Sequence, residues 1–257
     1  MKQKEMKKKK GFKDYFRLLL LTICVAVFVY SGYQLLNIYL QYRNIDKAYD
    51  ALLEEYVEDN DGFHIIAWDE LLERNPDVIA WIQIPNTNID YPVLQGDTND
   101  TYLRHDIDGN YLVAGSIFVD ANHSAPLEEP NTILYGHNMR NSSMFSDLKE
   151  YINPEFVKDH PYVYIYLPDG TVSEYQIVST QEIDAYSDIY MVNLPNLDTH
   201  YTKIMDGNKL DVPFERDQSP MITLSTCATY DVDNTARVVV HAALQRSGIN
   251  PAMEQMR

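Results

Sequence analysis

Cysteine is nearly absent from this chain: Cys24 and Cys227 are the only two among 257 residues. Cys24 lies inside an apolar run, where it reads as a small apolar filler. Cys227 then has no partner for an intrachain disulfide in the rest of the chain, which excludes a disulfide-built scaffold. A lone thiol invites either a chemical role or pairing with another molecule. Basic charge is outnumbered beyond the first 17 residues. Those carry eight Lys/Arg against Glu5 and Asp14, a net +6, so the remaining body holds −23 of a chain total of −17. Such an acidic body repels phosphate backbones and excludes nucleic acid as a partner. Internal repeats are missing, and no low-complexity tract appears beyond the basic tail. The acidic clusters Glu128-Glu129 and Asp106/Asp108 lack the D-x-D-x-D-G calcium loop and read as charged surface. Neither a metal nor another cofactor is expected.

From Leu18 to Tyr42 there are 25 residues without a charge, opening with the dense apolar run Leu18–Tyr30. At ~1.5 Å per helical residue, about 20 of these cross a bilayer core. A cleaved signal peptide is the rival reading, because the run is short and Ser31-Gly32 follows it. Continuing apolar and aromatic residues (Tyr33, Leu35, Leu36, Ile38, Tyr39, Leu40) and the lack of an A-x-A pattern favour an uncleaved anchor. Residues 1–17 would then be a cytoplasmic tail, 18–42 a single-pass transmembrane anchor, and 43–257 extracellular.

The rest has enough apolar residues for one sizeable domain. Ile45, Ala48, Tyr49, Leu52, Leu53 and Tyr56 recur at helical spacing and predict a helix over 43–58. A second short helix is predicted at Trp68–Arg74, stopped by Asn75-Pro76. Together these make 43–75 a helical stalk. After Pro76 come eight candidate strands: Val78–Ile84, Tyr91–Gln95, Gly115–Val119, Thr132–Leu134, Tyr162–Leu167, Val172–Ile183, Met221–Ser225 and Arg237–Leu244. Their spacing favours a mostly β, closed or sandwich-like domain over βαβ units. Ser142–Tyr151 reads as a helix between strands, and Ser187–Pro220 as a long insertion carrying function or a helix of its own.

Chemistry concentrates at the last two strands. Cys227 ends one and Arg237 begins the next, with nine residues (228–236) between them. If the two pair antiparallel, thiol and guanidinium are neighbours at one rim. A cation stabilises the nucleophilic thiolate, and arginine offers fixed donors to an oxygen that becomes negative during acyl transfer. An acid/base is then needed for a leaving amine. Seven histidines compete. His137 is preferred because it follows an apolar strand through Tyr135-Gly136. His241 shares a face with Arg237, but four strand residues carry it ~13 Å away. His64, His105, His123, His160 and His200 lie in turn-rich or charged segments and are expected to be solvated. The alternatives for the trio are ordinary: a core cysteine, a solvated arginine and a surface-turn histidine.

Thr223-Leu224-Ser225-Thr226-Cys227 followed by Arg237-Val238-Val239-Val240 closely resembles the T-L-x-T-C signature and downstream arginine of sortases, transpeptidases of Gram-positive cell surfaces. Tyr135-Gly136-His137-Asn138-Met139 resembles their histidine motif, and Ile89-Asp90-Tyr91-Pro92-Val93 an early strand. The N-terminal helices, the Met144-Phe145-Ser146 segment and the 187–220 insertion resemble class B. The resemblance implies an eight-stranded β-barrel over 76–257, with a helix-containing insertion walling a groove before the cysteine strand. It also implies Cys227 as nucleophile, His137 as general acid/base, Arg237 as the residue steadying the substrate carbonyl, and Asn99, Leu103, Tyr135 and Ser225 as groove residues. The partners implied are sorting-signal peptides of secreted proteins and the amine of a lipid-linked cell-wall precursor. Ala236 departs from the glycine that some relatives carry before the arginine. The alternatives are a pilin-polymerising sortase, an extracellular cysteine protease that releases acid, and an anchored binding module that happens to carry a thiol.

Overall fold

The computed structural model describes residues 11–208, 210, 212, 220–227 and 235–254, without the side chains of Asp14, Cys227 and Glu254. Most of the basic tail, and part of the 187–220 insertion, therefore lie outside the described residues. Two compact units divide the chain, one up to Asn44 and one from Ile45.

The first unit is helical. Helix α1 (Phe12–Tyr56) includes the charge-free run, and among the described residues it is the one helix long and apolar enough to cross a membrane. Leu18, Leu21, Phe28, Leu35 and Tyr39 are all exposed, as a lipid-facing segment requires.

The second unit begins within the same helix, where Ile45, Tyr49, Leu52 and Tyr56 form a buried stripe at helical spacing. Burying each such side chain contributes roughly 2 kcal/mol. Tyr49 also donates a hydrogen bond to the Gly115 carbonyl and meets Tyr91 edge-on at 5.1 Å. The helix predicted over 43–58 thus ends at Tyr56, and the predicted stalk is interrupted by a hairpin, β1 (Val57–Asn60) with β2 (Phe63–Ile66). Its turn is Asp61-Gly62, both at positive φ (55° and 83°). Asp-Gly between short strands is a strong hairpin signal, and helical periodicity running up to it concealed it. Helix α2 (Trp68–Arg74) has the predicted bounds.

All eight predicted strands form the barrel: β3 (Val78–Gln83), β4 (Asp90–Leu94), β5 (Ile117–Val119), β6 (Asn131–Tyr135), β7 (Tyr162–Tyr166), β8 (Thr171–Asp184), β9 (Met221–Cys227) and β10 (Ala236–Ile249). It closes in the order β10-β8-β7-β3-β4-β5-β6-β9. Closure removes every open edge and buries Trp81, Ile117, Ile133, Ile165, Leu224 and Val238 almost completely. Two pairings are parallel, β4–β5 and β6–β9, and the latter positions the site. Between β6 and β7 lie a 3-10 helix at Ser146–Ile152, where a helix was predicted over 142–151, and helix α3 (Pro154–Asp159), which was not predicted.

The insertion between β8 and β9 carries a 3-10 turn (Asp188–Tyr190) and helix α4 (Leu197–Met205). Asn196 caps α4 by accepting from the Thr199 N–H at 2.9 Å. At the other end the Gln181 amide, on β8, donates to the carbonyls of Lys203, Ile204 and Asp206. Ser179 Oγ also donates to the Ile204 carbonyl, and Asn208 accepts from the Thr180 N–H and donates to the Val178 carbonyl, so residues 178–181 of β8 together fasten the end of α4 to the barrel. Helix α5 (Pro251–Glu254) follows β10.

Candidate active site

Backbone register assembles the site. Tyr135 on β6 pairs with Ser225 on β9, in parallel. His137 and Cys227 each lie two residues further along, so both leave neighbouring strands at the same end of the barrel. On the other side of β9 the antiparallel ladder pairs Cys227 with Arg237. The antiparallel pairing anticipated for the last two strands is present. His137 and Arg237 line one cleft of about 320 Å³, together with Asn99, Leu103, Tyr135 and Ser225. The side chain of Cys227 lies outside the described residues; its backbone marks the rim.

His137 is half-buried, and its Nε2 lies 2.7 Å from the Leu103 carbonyl. A carbonyl can only accept, so Nε2 carries the hydrogen and Nδ1 keeps the ring's lone pair. Burial pushes the imidazole pKa below its ordinary value; the Leu103 bond opposes this and nearby Arg104 adds to it. The ring is therefore neutral near pH 7 and able to accept a proton at Nδ1.

Two glycines make that geometry possible. A Cβ on Gly136 would lie 2.5 Å from Ile117 Cδ1 and 2.6 Å from the Phe145 ring, so the strand could not pass between them. Gly115, at φ +57°, packs against the Leu103 carbonyl that holds His137.

The cleft walls come from three segments. Asn99 and Leu103 belong to the loop after β4, Phe118 and Tyr135 to β5 and β6, and Ala185 and Tyr190 to the insertion. Tyr190 Oη lies 2.7 Å from Ser225 Oγ, and its ring is 6.0 Å from that of Tyr135. Arg237 Nη1 donates to the Ala236 carbonyl at 3.0 Å, and its charge helps hold Asp184 below the carboxylate range, after hydrogen bonds from Thr235 and Tyr186.

Phe118, Ala185, Thr226 and Tyr190 were not anticipated. Tyr190 had a faint signal, as an aromatic early in an insertion expected to carry function. The histidine expectations divide. His241 is fully buried, but His64, His123 and His200 are buried as well, contrary to the expectation that they are solvated. His64 and His123 bond to Asp90 and Glu129 at 2.7 and 2.6 Å. Their turn-rich segments fold back onto the barrel, which local composition does not reveal. Glu129, expected as solvated charge, accepts from His123, Ser124 and Ala125. Among the described residues no cluster of three His, Cys, Asp or Glu side chains could hold a metal.

Comparison with known proteins fixes the class: residues 82–245 match the sortase domain model. The chain belongs to the sortase family and is a cysteine transpeptidase. Within the family it is similar to Sortase B of Staphylococcus aureus, 28% identical over 239 residues, 86% of this chain and 93% of that one. Sortase B of Clostridium perfringens superposes with a TM-score of 0.63 at 32% identity, covering 69% of this chain and 99% of that one. A substrate complex of Staphylococcus aureus sortase B superposes at 0.67 with 26% identity, covering 80% and 99%. None of the pilin-polymerising, protease or binding-module readings is favoured.

Proposed function

We propose that the chain is a membrane-anchored class B sortase with Cys227 as nucleophile, His137 as general acid/base and Arg237 steadying the carbonyl oxygen. The observation that carries the reading is the shared register: His137 and Cys227 each stand two residues beyond the paired Tyr135 and Ser225, with Arg237 opposite Cys227.

Cys227 passes its thiol proton to Nδ1 of His137, its sulfur attacks the threonine carbonyl of a sorting signal, the C–N bond breaks, and the His137 imidazolium gives that proton to the departing amine. The acyl group rests on sulfur as a thioester. An acceptor amine, from a lipid-linked cell-wall precursor, then attacks that thioester and yields its proton to Nδ1 of His137; the thiolate leaves and takes that proton back, which restores the resting thiol and neutral imidazole. Arg237 keeps its charge throughout and offers a fixed fork of donors to the oxygen that becomes negative. Asn99, Leu103, Tyr135 and Ser225 line the groove for the sorting peptide.

Residues 1–17 form a cytoplasmic tail, 18–42 the anchor, 43–75 a connecting segment, and 76–257 an extracellular catalytic domain, in line with the positive-inside rule. Such an anchor holds the enzyme where a translocated protein and a lipid-linked amine meet.

The test uses the full chain in detergent micelles with a sorting peptide and a glycine-peptide amine. Mass spectrometry should trap an acyl adduct on Cys227, and Cys227→Ala should form no joined product. Product from that variant at the parent rate would show the nucleophile misassigned.

A further inference from the structure

We propose that Asp120 is a positioning residue that sets the donor and acceptor pattern of the cleft wall through Asn99 and Tyr135. This rests on the reading in which those two side chains meet the sorting peptide.

Asp120 directly follows β5 and is only 5% exposed. Its two oxygens do different work. Oδ1 accepts from the backbone N–H and the side-chain amide of Asn122, at 2.9 and 2.7 Å, which closes the turn at the end of the strand. Oδ2 accepts from Asn99 Nδ2 and from Tyr135 Oη, both at 3.0 Å. Asn99 Oδ1 in turn accepts from the Ala121 N–H at 2.7 Å. One carboxylate thus ties together a loop residue and a strand residue, 36 positions apart in sequence, that line the same cleft.

The polarity follows from the acceptor-only nature of an ionised carboxylate. Tyr135 must point its hydrogen at Asp120, which leaves its oxygen as an acceptor. Asn99 must spend one N–H on Asp120 and its oxygen on Ala121, so the amide cannot flip and one N–H remains. Burial raises the Asp120 pKa, but the hydrogen bonds from Asn122, Asn99 and Tyr135 outweigh it and hold the group below the carboxylate range. Tyr135 is pushed well above the ordinary phenol value, first by burial and then by the Asp120 charge, so it remains a donor. The turn itself is braced. The Asp120 N–H donates to the Ile133 carbonyl, and the His123 N–H to that of Asp120. An anion held this way supports the wall without touching the scissile bond.

Asp120→Asn keeps the shape and removes the charge, placing an amide where two donors converge. In the full chain in micelles, KM for the sorting peptide should rise about tenfold, the loss expected for a hydrogen bond to a charged group, while kcat stays within about twofold. Alkylation of Cys227 by iodoacetamide, which needs no groove, should also stay within about twofold of the parent rate. In an Asn99→Ala/Tyr135→Phe background the same change should raise KM less than about twofold, because its targets are gone. A full tenfold rise in that background, or a KM within about twofold of the parent in the single variant, would overturn the proposal. Should Asp120→Asn not fold, Tyr135→Phe reads the same link from the other end: it keeps the ring and should raise KM about threefold. An unchanged KM there also overturns it. A parent chain that does not turn over the peptide would instead defeat the reading of the groove.

Discussion

His137 and His241 are both imidazoles of one barrel, the first half-buried and the second fully enclosed, and they stand in opposite chemical situations. His137, past the end of β6, spends Nε2–H on the Leu103 carbonyl and lines a water-accessible cleft with Nδ1 available. His241, four residues along β10 from Arg237, is fully enclosed beside α4. Its Nδ1 donates at 2.9 Å to Thr223 Oγ1, whose own hydrogen goes to Asn131 Oδ1, and its Nε2 has no hydrogen-bond partner among the described residues. They differ in hydrogen bonding as well as in depth. The difference is which nitrogen is spent, and whether the other faces a cleft or the interior.

The largest effect is expected from exchanging the two. His137→Ala should lower kcat/KM by about 10³-fold with little change in stability, since it removes the proposed acid/base. His241→Ala should leave kcat/KM within about threefold and lower the unfolding free energy by about 2 kcal/mol, through a cavity and an orphaned Thr223 bond. Steady-state kinetics beside urea unfolding separates them, and equal losses of activity would erase the distinction.

Acid should act on the enclosed region first. Burial lowers the pKa of His241 to about 3 and that of His200 to about 4. Unfolded histidine titrates near ~6.5, so the unfolded chain takes up protons before the folded one. Stability is therefore full above that pH and is lost as pH falls toward 4. Between pH 7 and 5 the two together should cost on the order of 3 kcal/mol. Urea titrations at both pH values measure it, and His241→Asn should roughly halve the loss. An unaltered loss in that variant would assign the acid sensitivity elsewhere.

A smaller change tests how His137 is held. Gly115→Ala sets a Cβ against the Leu103 carbonyl at a positive φ, so the imidazole loses its anchor. We expect kcat to fall about 10²-fold with KM less affected, as for a misplaced catalytic group. Kinetics at a temperature where circular dichroism shows an intact fold would check it, and a parent-like kcat would mean the Leu103 bond does not orient the ring.

The smallest effect concerns the wall shared by both regions. Gln181→Ala removes an amide that helps fasten α4 and should cost about 1 kcal/mol of stability. Because Tyr190 belongs to the same insertion, KM should rise about twofold to threefold while thiol alkylation is unaffected. A KM unchanged by this variant would show that α4 and the cleft wall are independent.

The sequence by itself determined the eight staves, because alternating and apolar runs bounded by turn residues are local signals, and it determined α2 through its stop at Asn75-Pro76. The family motifs, with His137, Cys227 and Arg237 in that order, were also legible, as was the apolar segment of α1. The β1–β2 hairpin was written in Asp61-Gly62 and overlooked beside a long helical pattern. Only the tertiary structure decided which strands became neighbours. Pairing β6 with β9 in parallel joins Tyr135 to Ser225 across 90 residues, and no local propensity encodes such a pairing. The same holds for Asp120 beneath the cleft wall and for His64, His123 and His200 in the interior. Burial and hydrogen-bond partnership come from segments far apart in the chain, meeting only when the barrel closes.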